Sequence, residues 1–253
     1  MNPPSPRGAA IVTGGSRGIG AAIAKLLGVN GYSLAFNYLS NEAAARGVLD
    51  HLTRMGTRAV AVQADLAREA DILRMFEIAG RELGPLRALV NNAAVTGGKA
   101  RVDDIDSAKL ANMLAVNVAG TMLCAREAVR RMSTKRGGAG GGIVNISSLA
   151  SRTGSAGEWV HYAASKGAVN TFTIGLAREV AAEGIRVNAV SPGLVDTDIH
   201  AANGEPGRLA RISPTIPMGR GGTPEEIAQG VLWLLSDAAS YVTGTILEIG
   251  GGR

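Results

Sequence analysis

Ala9-Ala10-Ile11-Val12-Thr13-Gly14-Gly15-Ser16-Arg17-Gly18-Ile19-Gly20 joins an apolar run, a glycine-rich turn and the opening of an apolar helix without a break. Residues 9–13 read as a short strand covered on both faces, since apolar residues there do not alternate with polar ones. Glycines in the turn let the backbone approach a pyrophosphate, and the helix N-terminus stabilises its charge through free N–H groups and the helix dipole. Clustered glycines are often no more than a turn. Their place between a first strand and a first helix is what points to a dinucleotide, and the spacing Gly14-x-x-x-Gly18-x-Gly20 departs from G-x-G-x-x-G, which narrows the reading to a subset of dinucleotide folds.

Outward from this stretch, strand-like and helical segments alternate. Strands are expected at 9–13, 33–37, 58–63, 88–91, 142–146, 185–190 and 246–248, with helices at about 19–27, 41–55, 70–83, 107–132, 162–182 and 224–235. This alternation predicts an α/β fold of the Rossmann type: a doubly wound, seven-stranded parallel sheet with helices on both faces. At 253 residues and 46% hydrophobic the chain is expected to form a single domain over 1–253, with a flexible tail at 1–7. Gly137 to Gly142 reads as a flexible turn. The long, proline-bearing segment 196–222 reads as a substrate lid loop, because ligands in such sheets bind beyond the C-terminal ends of strands.

Composition narrows the class. Cys124 is the only cysteine, so no internal disulfide can form, and a reducing cytoplasm fits. No run of eighteen apolar residues and no secretory h-region occur, which leaves membrane association and export unsupported. The net charge of +5 raises nucleic acid as a partner, but the charge is dispersed and aromatics are only 4% of residues, which argues against base stacking. Arg130-Arg131 and Lys135-Arg136 read as a solvated helix end. No metal site is expected.

Tyr162 and Lys166 stand four apart, on one face of an expected helix, with Ser147-Ser148 a short loop upstream. A phenol beside an ammonium can exchange a proton, and a hydroxyl can hold a carbonyl oxygen while it moves, which is the chemistry of carbonyl reduction. His161 faces another way on the same helix and reads as lining or surface. At the end of the second strand, where an acid would select NAD by binding the ribose 2′-hydroxyl, residues 34–41 hold no acid. Asn37, Tyr38 and Ser40 offer neutral groups, and Arg17 could fork onto a 2′-phosphate, so NADP(H) is the expected cofactor.

With these motifs in place, the chain from Ala9 to Gly252 resembles the short-chain dehydrogenase/reductase family, including 3-oxoacyl thioester reductases and glucose dehydrogenase-like members. The resemblance is carried by Thr13 to Gly20, Asp65, Asn91-Asn92-Ala93-Ala94, Asn117, Ser148, Tyr162 with Lys166, and Pro192-Gly193 with Thr197. It implies cofactor contacts from Gly14, Ser16, Arg17, Gly18, Ile19 and Gly20, and adenine contacts at Asp65 and Leu66. It further implies that Asn91 and Ala93 steady the cofactor, and that Pro192, Gly193, Val195 and Thr197 border the nicotinamide. Ser148 would hold the carbonyl, with Ser147 as second candidate. Tyr162 would transfer the proton, Lys166 would lower the phenol's pKa and hold the ribose, and Asn117 would kink its helix and support a water chain. The resemblance implies a homotetramer and a small carbonyl or alcohol substrate, with an acyl carrier docking near Arg131 and Arg178 as one option. Sugars and other secondary alcohols stay open as substrates, as does a cofactor-binding sensor without catalysis. Gly250 stands where the family more often has Asp, and Ala94 where it more often has Gly.

Overall fold

The structure, a computed structural model, describes residues 6–197, 205 and 207–253. Seven parallel strands run β1 (Gly8–Val12), β2 (Tyr32–Tyr38), β3 (Ala59–Gln63), β4 (Leu86–Asn91), β5 (Gly141–Ile146), β6 (Ile185–Pro192) and β7 (Ile246–Ile249), in the sheet order β3-β2-β1-β4-β5-β6-β7. The order reverses direction between β1 and β4, and this switch point opens a crevice at the strands' C-terminal ends.

Side chains alternate across the sheet as a period of two requires. Ala10, Val12, Leu34, Phe36, Val90 and Val144 face one way, onto α1 (Gly18–Val29), α2 (Glu42–Arg54) and the C-terminal helix Pro224–Leu235. Ala9, Ile11, Ala35, Leu89, Ile143 and Val187 face the other, onto α3 (Glu69–Leu83), α5 (Thr121–Met132) and α7 (Val160–Val180). Cys124 is buried in this second core, and burial pushes its thiol up to about 12. The two apolar layers account for the expected strands, each within about two residues of its predicted ends.

The helix expected at 107–132 is continuous but not uniform. It comprises α4 (Ser107–Leu114), a π-helical turn at Ala115–Gly120 and α5, so Asn117 sits where the backbone widens. By length and mean hydropathy (1.3) this run could cross a membrane, yet in the fold α5 packs on β4, α3 and α7. Its arginines are not merely solvated, as the sequence suggested. Arg126, Arg130 and Arg131 converge on the buried Glu127 carboxylate at 3.0, 2.8 and 2.6 Å. Burial raises that carboxyl's pKa, but the Arg131 and Arg126 hydrogen bonds outweigh it and hold the group below the usual carboxylate range. Arg131, lying over the Phe76 ring, is thereby committed within its own helix.

The turn before β5 is closely packed. A Cβ on Gly140 or Gly141 would lie 2.4 and 2.3 Å from the carbonyls of Gly184 and Arg87, so these glycines are there for close backbone approach. The segment after β6 is more than a loop: it holds α8 (Arg208–Ile212), whose Ile212 packs with Leu194 and Ile216 in a third small core. Its neck is stitched by Asp196 N to Gly222 O and Gly222 N to Leu194 O, both 2.9 Å. Residues 198–204 and 206 of the expected lid, and 1–5 of the expected tail, lie outside the described residues. The C-terminal helix, α9 (Pro224–Leu235), opens with a capping box of Thr223 and Glu226 and with Pro224 in its first turn.

Candidate active site

A cleft of about 520 Å³ runs across the switch point from the glycine turn to α8. At one end, Gly14, Ser16, Arg17, Gly18, Ile19 and Gly20 line it together with Tyr38, Asp65 and Leu66. No side chain caps the start of α1, which leaves its first N–H groups to whatever occupies the turn. This is a cradle suited to a pyrophosphate, with Arg17 exposed beside it.

Two asparagines build the cradle. The Asn37 side-chain oxygen accepts from Gly14 N at 2.8 Å and its amide donates to Ala64 O at 2.9 Å. Asn37, expected to offer a polar group to the cofactor, lines the cleft, and both ends of its buried side chain also brace the turn against the end of β3. Asn92 Nδ2 donates to Thr13 O at 2.9 Å and Gly14 O at 3.2 Å, while Thr13 Oγ1 accepts from the backbone N–H of Asn92 and Ala93. Asn91, by contrast, is turned beneath the cleft, donating to Asn145 Oδ1 at 2.9 Å. Its neighbour Asn92 lines the cleft, and strand alternation was the signal that could have separated the two. Ser40 is exposed and is not among the cleft-lining residues, whereas Leu39 is. Asp65 does not cap α3, whose N-cap is Arg68; its carboxylate accepts from Ala67 N at 2.9 Å in a local turn at the cleft.

Midway along the cleft, Ser148, Tyr162 and Lys166 come together, the Ser148 hydroxyl close enough to the phenol to pull its pKa down against burial. Ser147 is turned away, its hydroxyl donating to Lys166 O at 3.3 Å. Lys166 Nζ lies 5.7 Å from the Tyr162 ring centre and donates to Ile146 O at 2.7 Å. Behind them, Asn117 accepts from Val95 N at 2.9 Å and donates to Val95 O at 2.8 Å and Ser165 Oγ at 3.1 Å, tying the π-helical turn to α7 and to the loop after β4. Pro192, Gly193, Val195 and Thr197 form the facing wall, and Thr197 hangs over Gly18. Gly250 backs this wall: its Cα would lie 2.8 Å from a Cβ on Gly193.

Burial pushes the Tyr162 phenol up to about 12, against the pull of the Ser148 hydrogen bond, and lowers Lys166 to about 8. The sequence expectation that Lys166 draws the phenol toward neutrality is thus reversed here, because both groups lose hydration together and the ammonium is engaged by a backbone carbonyl. A phenol that stays protonated is suited to giving a proton rather than taking one. His161 is buried and does not line this cleft; it lines a smaller cavity beside Gly97 and Gly98, its Nε2 at 3.1 Å from Gly98 O. Trp159, Glu205 and Arg208 line the far end of the cleft, and the sequence did not single them out. Among the described residues no three His, Cys, Asp or Glu side chains gather as metal ligands.

A switch-point cleft with a glycine cradle and a Ser, Tyr and Lys group defines an oxidoreductase class, and the comparisons agree: this chain belongs to the short-chain dehydrogenase/reductase family. The family model described as enoyl-(acyl carrier protein) reductase matches residues 14–253. An Escherichia coli protein named as an uncharacterized oxidoreductase, YgfF, is 52% identical over 96% of this chain and 99% of its own. The Aquifex aeolicus 3-oxoacyl-[acyl-carrier-protein] reductase FabG is 37% identical over 96% of this chain and 95% of its own. The solved structure of a Burkholderia cenocepacia short-chain dehydrogenase in complex with NADP superposes with a TM-score of 0.90 at 33% identity, covering 99% of each chain.

Proposed function

We propose that this protein uses NADPH to reduce a ketone or aldehyde, with Tyr162 as the general acid, and that it runs the reverse alcohol oxidation by the same groups. The observation that carries the reading is the meeting of Ser148, Tyr162 and Lys166 in a cleft whose other end is a pyrophosphate cradle. When bound, the cofactor supplies the hydride. Ser148 holds the carbonyl oxygen, and Tyr162 transfers its hydroxyl proton to that oxygen as negative charge develops there. Lys166, charged below about pH 8, stabilises the phenolate left behind and is placed to hold the ribose. Asn117 fixes Val95 and Ser165 behind the site, and Glu205 and Arg208, from the segment after β6, wall the substrate end of the cleft. A 3-oxoacyl-type ketone is the favoured substrate, in keeping with the Aquifex relative's name; a sugar or other secondary alcohol is the alternative. A homotetramer in the cytoplasm is proposed on the family resemblance. Incubating the protein with NADPH and a panel of ketones and aldehydes, followed by loss of reduced-nicotinamide absorbance, tests the reading. A panel of carbonyls turned over by none would reject it in favour of a binding protein.

NADP(H) preference is assigned to Arg17. Arg17→Ala is expected to raise KM for NADPH at least about tenfold more than KM for NADH, the scale of a lost charge-assisted fork. Equal losses with both cofactors would remove the 2′-phosphate role.

The pH profile has a predicted sign. Since kcat/KM reports the free enzyme, its value for NADPH is expected to be level near neutrality and to fall above about pH 8, as buried Lys166 loses its proton. Tyr162, pushed up to about 12, stays protonated throughout that window. A fall that begins only near pH 10, with the rate level from 7 to 9, would show that burial does not set the Lys166 equilibrium.

A further inference from the structure

We infer that the substrate carries an anionic group, of the carboxylate class, a few bonds from the reacting carbonyl, and that Arg208 holds it. This rests on the carbonyl-reduction reading above and, within it, favours a keto acid over a neutral 3-oxoacyl thioester. Five charged side chains from three segments meet at the end of the cleft remote from the glycine turn. Lys99 lies 2.6 Å from Glu205 and 3.8 Å from Glu158; Arg208 lies 2.8 Å from Glu158; Arg211 lies 2.8 Å from Glu205 and 3.6 Å from Glu158. Among the described residues, three cations meet two carboxylates there.

Of these cations, Arg208 is the one that solvent screens least. The Arg208 side chain is 12% exposed, against 42% for Lys99 and 53% for Arg211, and of the three cations it is the one that lines the cleft. Arg253 lines the cleft too, but it is exposed to water. The Arg208 guanidinium is stacked on the Trp159 ring at 4.3 Å, and its Nη1 donates to Glu158. Stacking fixes the plane of the fork, and among the described residues its remaining N–H donors make no further hydrogen bond. The Trp159 indole N–H is likewise buried and without a partner among the described residues.

Trp159 caps α7 three residues before Tyr162, about 4.5 Å along a helix axis, so the guanidinium's platform stands one turn from the proton donor. A molecule with its carbonyl on Ser148 and Tyr162 would reach Arg208 with a group a few carbons away. A carboxylate there would offer the open donors of a planar fork two charged acceptor oxygens, a stronger match than a neutral ester or hydroxyl provides. The same five charges could simply clasp the segment to the body of the protein, and that role makes no distinction between charged and neutral substrates.

Initial rates with NADPH on 4-oxopentanoate and its methyl ester separate these roles. Wild type is expected to favour the carboxylate in kcat/KM by at least about tenfold, and Arg208→Gln to bring the ratio of acid to ester close to one. Glu158→Gln, which removes the competing carboxylate and keeps the shape, is expected to raise the ratio. Equal rates on acid and ester with wild type, or an Arg208→Gln variant that slows both alike, would overturn the proposal. Calorimetric titration of the NADP-loaded protein with pentanoate and pentanamide reads the anion site without turnover. Pentanoate binding that Arg208→Gln abolishes upholds the site even where no carbonyl is reduced, an outcome that would reject the reduction reading instead; failure of pentanoate to bind rejects the site.

Discussion

Tyr162→Phe is expected to lower the rate of carbonyl reduction by at least about two orders of magnitude, or roughly 2.7 kcal/mol of transition-state stabilisation, while leaving NADPH binding intact. The substitution removes one oxygen and keeps the ring, so packing of the partly exposed aromatic face is preserved. Lys166 is anchored to Ile146 O and does not depend on the phenol for its position. Ser148 loses a hydrogen-bond partner but keeps the bond it accepts from Ala150 N at 3.1 Å. The deficit should therefore fall on kcat, with the dissociation constant for NADPH, read by nicotinamide fluorescence, changed by less than about threefold. Turnover near the wild-type rate would sink the assignment of Tyr162 as acid. A loss confined to KM would point instead to a substrate-binding role.

The architecture was legible because its signals are local. The apolar run at 9–13, the glycines at 14, 18 and 20, and the short, apolar, β-branched runs of the later strands each express a physical demand within a few neighbouring positions. Tyr162 and Lys166 could be paired because a helix places residues four apart on one face, and Ser148 entered as a hydroxyl a short loop upstream. What escaped depends on contacts between distant segments. Whether Asn37 faces a ribose or the Gly14 amide is decided by how β2 lies against the turn, and Asn91 and Asn92 differ only in which side of β4's end they leave from. The cluster at the far end of the cleft draws on residues 99, 158, 205, 208 and 211, which no periodicity connects. The direction of the Tyr162 shift could not be read either, since proximity to a cation argues one way and burial the other, and burial is a property of the completed fold.

Gly20→Ala is expected to weaken NADPH binding at least about tenfold and to lower the melting temperature, although helix propensity alone argues for the opposite sign. Alanine is favoured over glycine inside a helix by about 1 kcal/mol. At Gly20, however, a Cβ would stand 2.3 Å from Gly14 O and 2.5 Å from Asn92 Nδ2. Neither atom can retreat. Gly14 is held by Asn37 and carries a positive φ of 64°, and Asn92 is fixed by Thr13 and by Gly14 itself. Relief would require α1 to lift from the turn by about 1 Å, which pulls the helix N-terminus away from the pyrophosphate cradle and opens the apolar layer of Ala21, Ala24 and Leu27 beneath it. Gly47, exposed in α2 with nothing within 4 Å of its Cβ position, supplies the control. Gly47→Ala should stabilise by up to about 1 kcal/mol and leave cofactor affinity unchanged, because there propensity acts without a collision. If the two variants shift melting temperature in the same direction, the close approach of α1 to the turn is not what requires glycine at position 20.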